Sequence, residues 1–82
     1  MNRYKARRLE LDLRQDEVAR ATGLHPTQVS HYEAGEREPS VGNLIKLARA
    51  LNCSADYLLG LSDNPGAIFV GIERVFKHAK SA

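Results

Sequence analysis

An all-helical domain of five short helices, followed by an amphipathic sixth, is the fold that the sequence predicts. Three observations predict it: apolar residues recur at helical spacing, N-cap or first-turn residues open most of the segments, and glycine or proline separates them. No strand-length alternation interrupts the pattern up to residue 61. With 82 residues and 43% apolar composition, the chain suits one domain with a modest core, and self-association would supplement it.

Residues 3–12 lack Gly and Pro, are rich in Arg, Leu, Lys and Glu, and offer Tyr4, Leu9, Leu11 and Leu13 to an interior. A second helix fits Gln15 to Thr22, with Asp16 and Glu17 in its first turn, Val18 and Ala19 pointing inward, and Gly23 as its stop. The third opens at His25-Pro26, where the fixed φ and missing N–H of proline suit a first helical position, and ends at Tyr32 or Glu33. Residues 34–39 are expected to form a loop. Ser40 then caps a fourth helix whose Leu44, Leu47, Ala48 and Leu51 make the clearest amphipathic stripe in the chain. Ser54 caps a short fifth helix running through Leu59, which supplies Tyr57, Leu58 and Leu59 to the core before Gly60 closes it.

Three regions result: a domain over 1–61, a turn-rich linker over 62–66 and a tail over 67–82. In the tail Ile68, Ile72, Val75, Phe76 and Ala79 share one helical face, opposite Glu73, Arg74, Lys77 and Lys80, so a sixth helix is expected. A strand over 68–72 competes, because Gly71 costs a helix about 1 kcal/mol. Ile68, Ile72, Val75 and Phe76 are candidates for dimerisation or for packing back on the domain.

A net charge of +2 settles nothing about nucleic acid, because binding depends on where charge sits. Arg3, Lys5, Arg7 and Arg8 crowd the N-terminus, either as an edge for phosphates or as a solvated helix face. The single cysteine, Cys53, permits no internal disulfide and reads as a small buried residue. There is no apolar run long enough for a membrane span and no signal-peptide pattern, so a cytoplasmic protein is expected. His25, His31, His78 and Cys53 lack metal-ligand spacing, and no glycine-rich phosphate loop is present. Neither catalysis, a cofactor nor a metal is expected.

The informative stretch runs from Gln15 to Leu44. Ala19 stands where a larger side chain would push the second helix off the third, Gly23 can take the positive φ of a tight turn, and Val29 and Tyr32 pack the third helix back. An isolated Ala-x-x-x-Gly is commonplace, whereas the set Gln15, Ala19, Gly23, Leu24, Val29, Tyr32 and Glu33 is specific. Through LRQDEVARATGLHPTQVSHYEAGEREPSVGNLIKLARALNCSADYLL the sequence resembles the phage-repressor and Cro-like, or xenobiotic-response-element, helix-turn-helix family. The likeness covers about residues 4–61: Gln-x-x-aliphatic-Ala, the turn glycine, Glu-x-Gly after the third helix, the proline before the fourth and Leu-Leu closing the fifth. It implies a five-helix repressor-like bundle that binds double-stranded DNA, usually as a homodimer on a palindromic site.

By position in that family, Pro26, Thr27 and His31 match base-facing sites, with Ser30 close by. A threonine methyl can meet a thymine methyl, and a histidine N–H can donate to guanine N7 or O6. Gln15 matches a phosphate contact at a helix N-terminus, with an ordinary polar first-turn residue as the alternative. Gln28, Arg37 and Asn43 are weaker backbone-contact candidates, and Arg37 has Glu36 and Glu38 as competing partners. Arg8 and Glu33 match a structural ion pair, in which Arg8 can also share a phosphate. Two departures stand out: Arg14 and His25 occupy positions where the family often has Ser, Thr or Asn caps. Arg14 accepts no hydrogen bond, which weakens that cap by about 1 kcal/mol. It reaches a phosphate or stays in solvent.

A transcriptional repressor is the expected function. The rival is an antitoxin-like protein that holds a protein partner as well as DNA; the tail discriminates, because an apolar stripe left uncovered would imply a different partner.

Overall fold

The computed structural model describes residues 2–66. The chain runs α1 (Arg3–Glu10), α2 (Gln15–Thr22), α3 (Pro26–Ala34), α4 (Val41–Ala50) and α5 (Ala55–Leu58), with no strand among the described residues. The expected sixth helix and the candidate dimerisation residues Ile68, Ile72, Val75 and Phe76 lie outside the described residues.

Each boundary has a local cause. Asn2 caps α1 by accepting from the Lys5 N–H at 3.1 Å, and Asp12 takes a left-handed φ of 57° that ends α1 two residues earlier than residue 12. The Leu13 N–H then donates back to the Arg8 carbonyl at 3.0 Å, closing the helix end. Ser40 and Ser54 cap α4 and α5 by accepting from the Asn43 and Tyr57 N–H groups, as their positions foretell. Asn52, with φ 48°, turns the chain out of α4 as Asp12 does out of α1.

α2 packs on α3 and α4, α1 on α3 and α5, and α4 on α5. Between them lies one core, built on Val18, Ala19, Val29, Tyr32, Leu47, Ala48 and Leu51 and extended by Tyr4, Cys53, Tyr57 and Leu58. Leu11, Leu13, Leu24 and Leu44 pack against its edge. Leu9 and Leu59, expected inside, are 48% and 50% exposed. The reason for Leu9 is helical phase: Tyr4, Arg7, Arg8 and Leu11 form the i, i+3, i+4, i+7 face of α1, and both arginine side chains are largely buried there. Leu59 sits past the last turn of α5, after Tyr57 and Leu58 have filled the core.

Burial leaves Cys53 without solvent contact and pushes its thiol up to about 11. Tyr4 is buried against Tyr32 with ring centroids 6.3 Å apart, and desolvation, with Glu38 nearby, raises its phenol above the ordinary range.

Candidate nucleic-acid interface

The crossing of α2 and α3 is built from the residues that the spacing singles out. Ala19 is 3% exposed between the helices, and Gly23 takes φ 74° at the turn. A Cβ added at Gly23 would meet nothing within 4 Å, so the turn requires glycine for its backbone conformation and not for close approach. Thr22 adds a contact with no obvious sequence signal: its buried hydroxyl donates to the Val18 and Ala19 carbonyls and accepts from the Leu24 N–H, bracing the turn.

α3 starts from a firmer cap than the departure at His25 implies. The Thr27 N–H donates to His25 Nδ1 at 3.1 Å, while Gln28 Oε1 accepts from the His25 N–H at 3.0 Å, so two free donors of the helix start are satisfied reciprocally. Val29 and Tyr32 are buried, at 2% and 6% exposure, which fixes the rotation of the helix about its axis. Pro26, Thr27, Gln28 and Ser30 are consequently exposed, and the His31 side chain is 33% exposed beside Glu36. The outward face of α3 is therefore short-chained, mostly polar and almost uncharged.

Behind that face α3 is clamped. Glu33, whose side chain is 4% exposed, accepts two parallel hydrogen bonds from the Arg8 guanidinium at 2.7 and 3.0 Å and a third from Gln15 Nε2 at 3.1 Å. Its carboxylate raises the Arg8 pKa further. Arg8 also donates to the Leu13 carbonyl. Asn2, which sequence reading did not single out, caps α1 and donates its amide N–H to the Tyr32 carbonyl at the far end of α3. Asn43 Nδ2 donates to the Tyr32 hydroxyl at 3.1 Å, linking α4 to the same residue. α3 is thus fixed to α1, α2 and α4 by side chains around its inner surface.

The candidate phosphate contacts divide accordingly. Gln15, Arg8 and Asn43 spend donors inside the protein, each retaining further N–H groups. Arg14 makes no side-chain cap, as foreseen; Glu17 accepts from its backbone N–H at 2.9 Å, and its guanidinium lies near Asp16 and Glu17 while 73% exposed. Arg37 is exposed, and Glu36, one of its expected competitors, faces His31 instead. Of the N-terminal basic cluster, Arg7 and Arg8 are largely buried, Arg3 is partly exposed and Lys5 faces solvent. Arg3 donates to Asp63 and lies 4.5 Å over the Tyr57 ring, and Arg7 donates to the Leu51 and Asn52 carbonyls at the end of α4, so three of the four charges expected at that edge have partners within the fold while Lys5 stays exposed.

Comparison with known proteins identifies the family. The helix-turn-helix family profile covers residues 5–58. The chain is 42% identical to Repressor protein C2 of Salmonella phage P22 over 70% of its own length and 26% of the repressor's. It is 36% identical to the HTH-type transcriptional regulator ImmR of Bacillus subtilis, over 71% of its length and 46% of that protein's. With Control protein C.SmaI of Serratia marcescens the identity is 40%, over 67% of this chain and 69% of the relative. The chain thus spans a quarter to a half of the first two relatives. No solved structure gives a significant match. No helix among the described residues is long and apolar enough to cross a membrane. Over residues 5–58 the chain belongs to the Cro/C1-type helix-turn-helix family of DNA-binding regulators.

Proposed function

We propose that the protein is a cytoplasmic transcriptional repressor that binds a palindromic operator as a homodimer, with α3 of each copy in the major groove. The observation that carries this reading is the two-sided build of α3: Val29, Tyr32 and Glu33 are held against three other helices, while Thr27, Ser30 and His31, with Pro26 beside them, lie along its outward side. Thr27 and His31 read base edges, with Ser30 and Pro26 beside them. Gln15, Gln28, Arg14, Arg37, Asn43 and the spare donors of Arg8 fix register on the phosphates. In a symmetric dimer the two α3 helices lie about 34 to 36 Å apart, one turn of duplex. The tail residues Ile68, Ile72, Val75 and Phe76 are the proposed pairing surface. No catalytic step and no cofactor enters this function.

Selecting duplexes from a random pool with purified protein, at stated salt, tests it. An inverted repeat is expected, with Thr27→Ala and His31→Ala each relaxing particular base pairs by about 1 to 3 kcal/mol and Gln15→Ala weakening all sequences evenly. Uniform losses from every variant would mean that the reading face is misassigned. A different protein copurifying at fixed ratio from the native host would favour the antitoxin-like alternative.

A further inference from the structure

Past α3 the chain doubles back on the helix it has just left. Gly35, at φ 75°, lets the Glu36 N–H donate to the His31 carbonyl at 3.0 Å. That backbone bond seats the Glu36 side chain against His31: carboxylate Oε2 lies 3.8 Å from imidazole Nε2, longer than a hydrogen bond but within ion-pair reach. Glu36 is 64% exposed, so it has no packing role that would demand this position.

We propose that Glu36 is a specificity-determining residue: it keeps a proton on His31 Nε2, so that α3 presents a donor at that point and selects guanine there. The inference rests on α3 being the base-facing helix. An isolated imidazole is ambivalent, since a neutral ring can carry its proton on either nitrogen, and Nε2 is then a donor in one tautomer and an acceptor in the other. As an acceptor it would suit the amino groups of adenine or cytosine; as a donor it suits guanine O6 and N7. A carboxylate near Nε2 disfavours a bare lone pair there and favours an N–H, which biases the ring toward a donor; at 3.8 Å the proton is not taken up by a hydrogen bond to Glu36 and stays available to a base. The same carboxylate is repelled by phosphates whatever the sequence, so it lowers affinity for all DNA while penalising wrong pairs most, the pattern of a residue that serves discrimination.

The test uses the full chain and its pool-selected operator, together with operators changed at one base pair at a time, against the wild type, His31→Ala, Glu36→Gln and Glu36→Ala. Both Glu36 variants should melt like the wild type and bind changed operators more tightly. Discrimination should fall about tenfold at the pair that His31→Ala relaxes and nowhere else. If His31→Ala leaves every base preference intact, the base-facing reading of His31 fails and this inference with it. If His31→Ala relaxes one pair while Glu36→Gln keeps the wild-type preference there, or shifts all operators equally, the inference alone is overturned. Nitrogen-15 spectra of the His31 ring in the free protein give a reading independent of DNA: the share of neutral ring protonated at Nε2 should be smaller in Glu36→Gln than in the wild type, and an unchanged tautomer ratio contradicts the proposal.

Discussion

Replacing Glu33 with alanine should damage the fold far more than it alters sequence choice. The Glu33 carboxylate accepts from Arg8 twice and from Gln15 once, and the Arg8 side chain is only 12% exposed, so its charge cannot simply turn to water when the partner goes. Removing one member of a buried pair typically costs about 3 to 5 kcal/mol, and the Leu13 carbonyl that still holds Arg8 argues for the lower figure. At roughly 0.05 to 0.15 kcal/mol per residue a domain of this size has only about 4 to 12 kcal/mol in all. A loss of about 3 kcal/mol should lower the melting temperature by about 12 to 24 °C. Urea unfolding followed by circular dichroism would measure the loss, with Glu33→Gln, which retains an acceptor oxygen, falling in between. Binding measured where the variant is still folded should drop evenly across operators. A variant that melts within about 0.5 kcal/mol of wild type yet no longer binds DNA would refute the structural role and make Glu33 part of the interface.

Asn2→Ala should cost about 1 to 2 kcal/mol, because it removes both the α1 cap and the tie to the Tyr32 carbonyl; an unchanged urea midpoint would show that neither bond matters. Arg14→Ser should stabilise by about 0.5 to 1 kcal/mol by supplying the missing N-cap acceptor of α2, and any accompanying loss of DNA affinity would assign Arg14 a phosphate. Cys53, raised from 9.0 unfolded to about 11 folded, contributes stability that is complete below pH 9 and is lost as pH rises through 11. Cys53→Ala should flatten that decline, leaving the part due to Tyr4, whose phenol is also raised. A thiol reagent should leave the native protein untouched at neutral pH, and prompt labelling would contradict the burial.

Helix order and crossing were legible in the sequence because they rest on local rules: caps at Ser40 and Ser54, Pro26 at a helix start, a left-handed Gly23, and the α4 stripe. The stripe of α1 was not, since two of its inward positions are arginines whose charges are absorbed by carbonyls and by Glu33, a pattern that apolarity cannot reveal. The same holds for the site. Burial of Val29 and Tyr32 follows from period, and it forces Thr27 and Ser30 outward. What each polar side chain touches does not follow, because the partners come from distant segments: Asn2 lies 30 residues from Tyr32, and Arg7 lies 44 from Leu51. The strength of the His25 cap is not legible either, since cap preferences rank residue types and do not record that an imidazole nitrogen can accept from the Thr27 N–H. Glu36 could have been suspected from one signal, its position just after the helix-closing Gly35.

Chemical interference on the selected operator addresses the role of α3 most directly, because guanine N7 faces the major groove and adenine N3 the minor. Methylating guanine N7 before binding should abolish the complex at positions clustered in two half-sites about one helical turn apart, with adenine N3 methylation having little effect. Interference confined to adenine N3, or none at guanine N7 within either half-site, would mean that the Thr27 and His31 face does not enter the major groove.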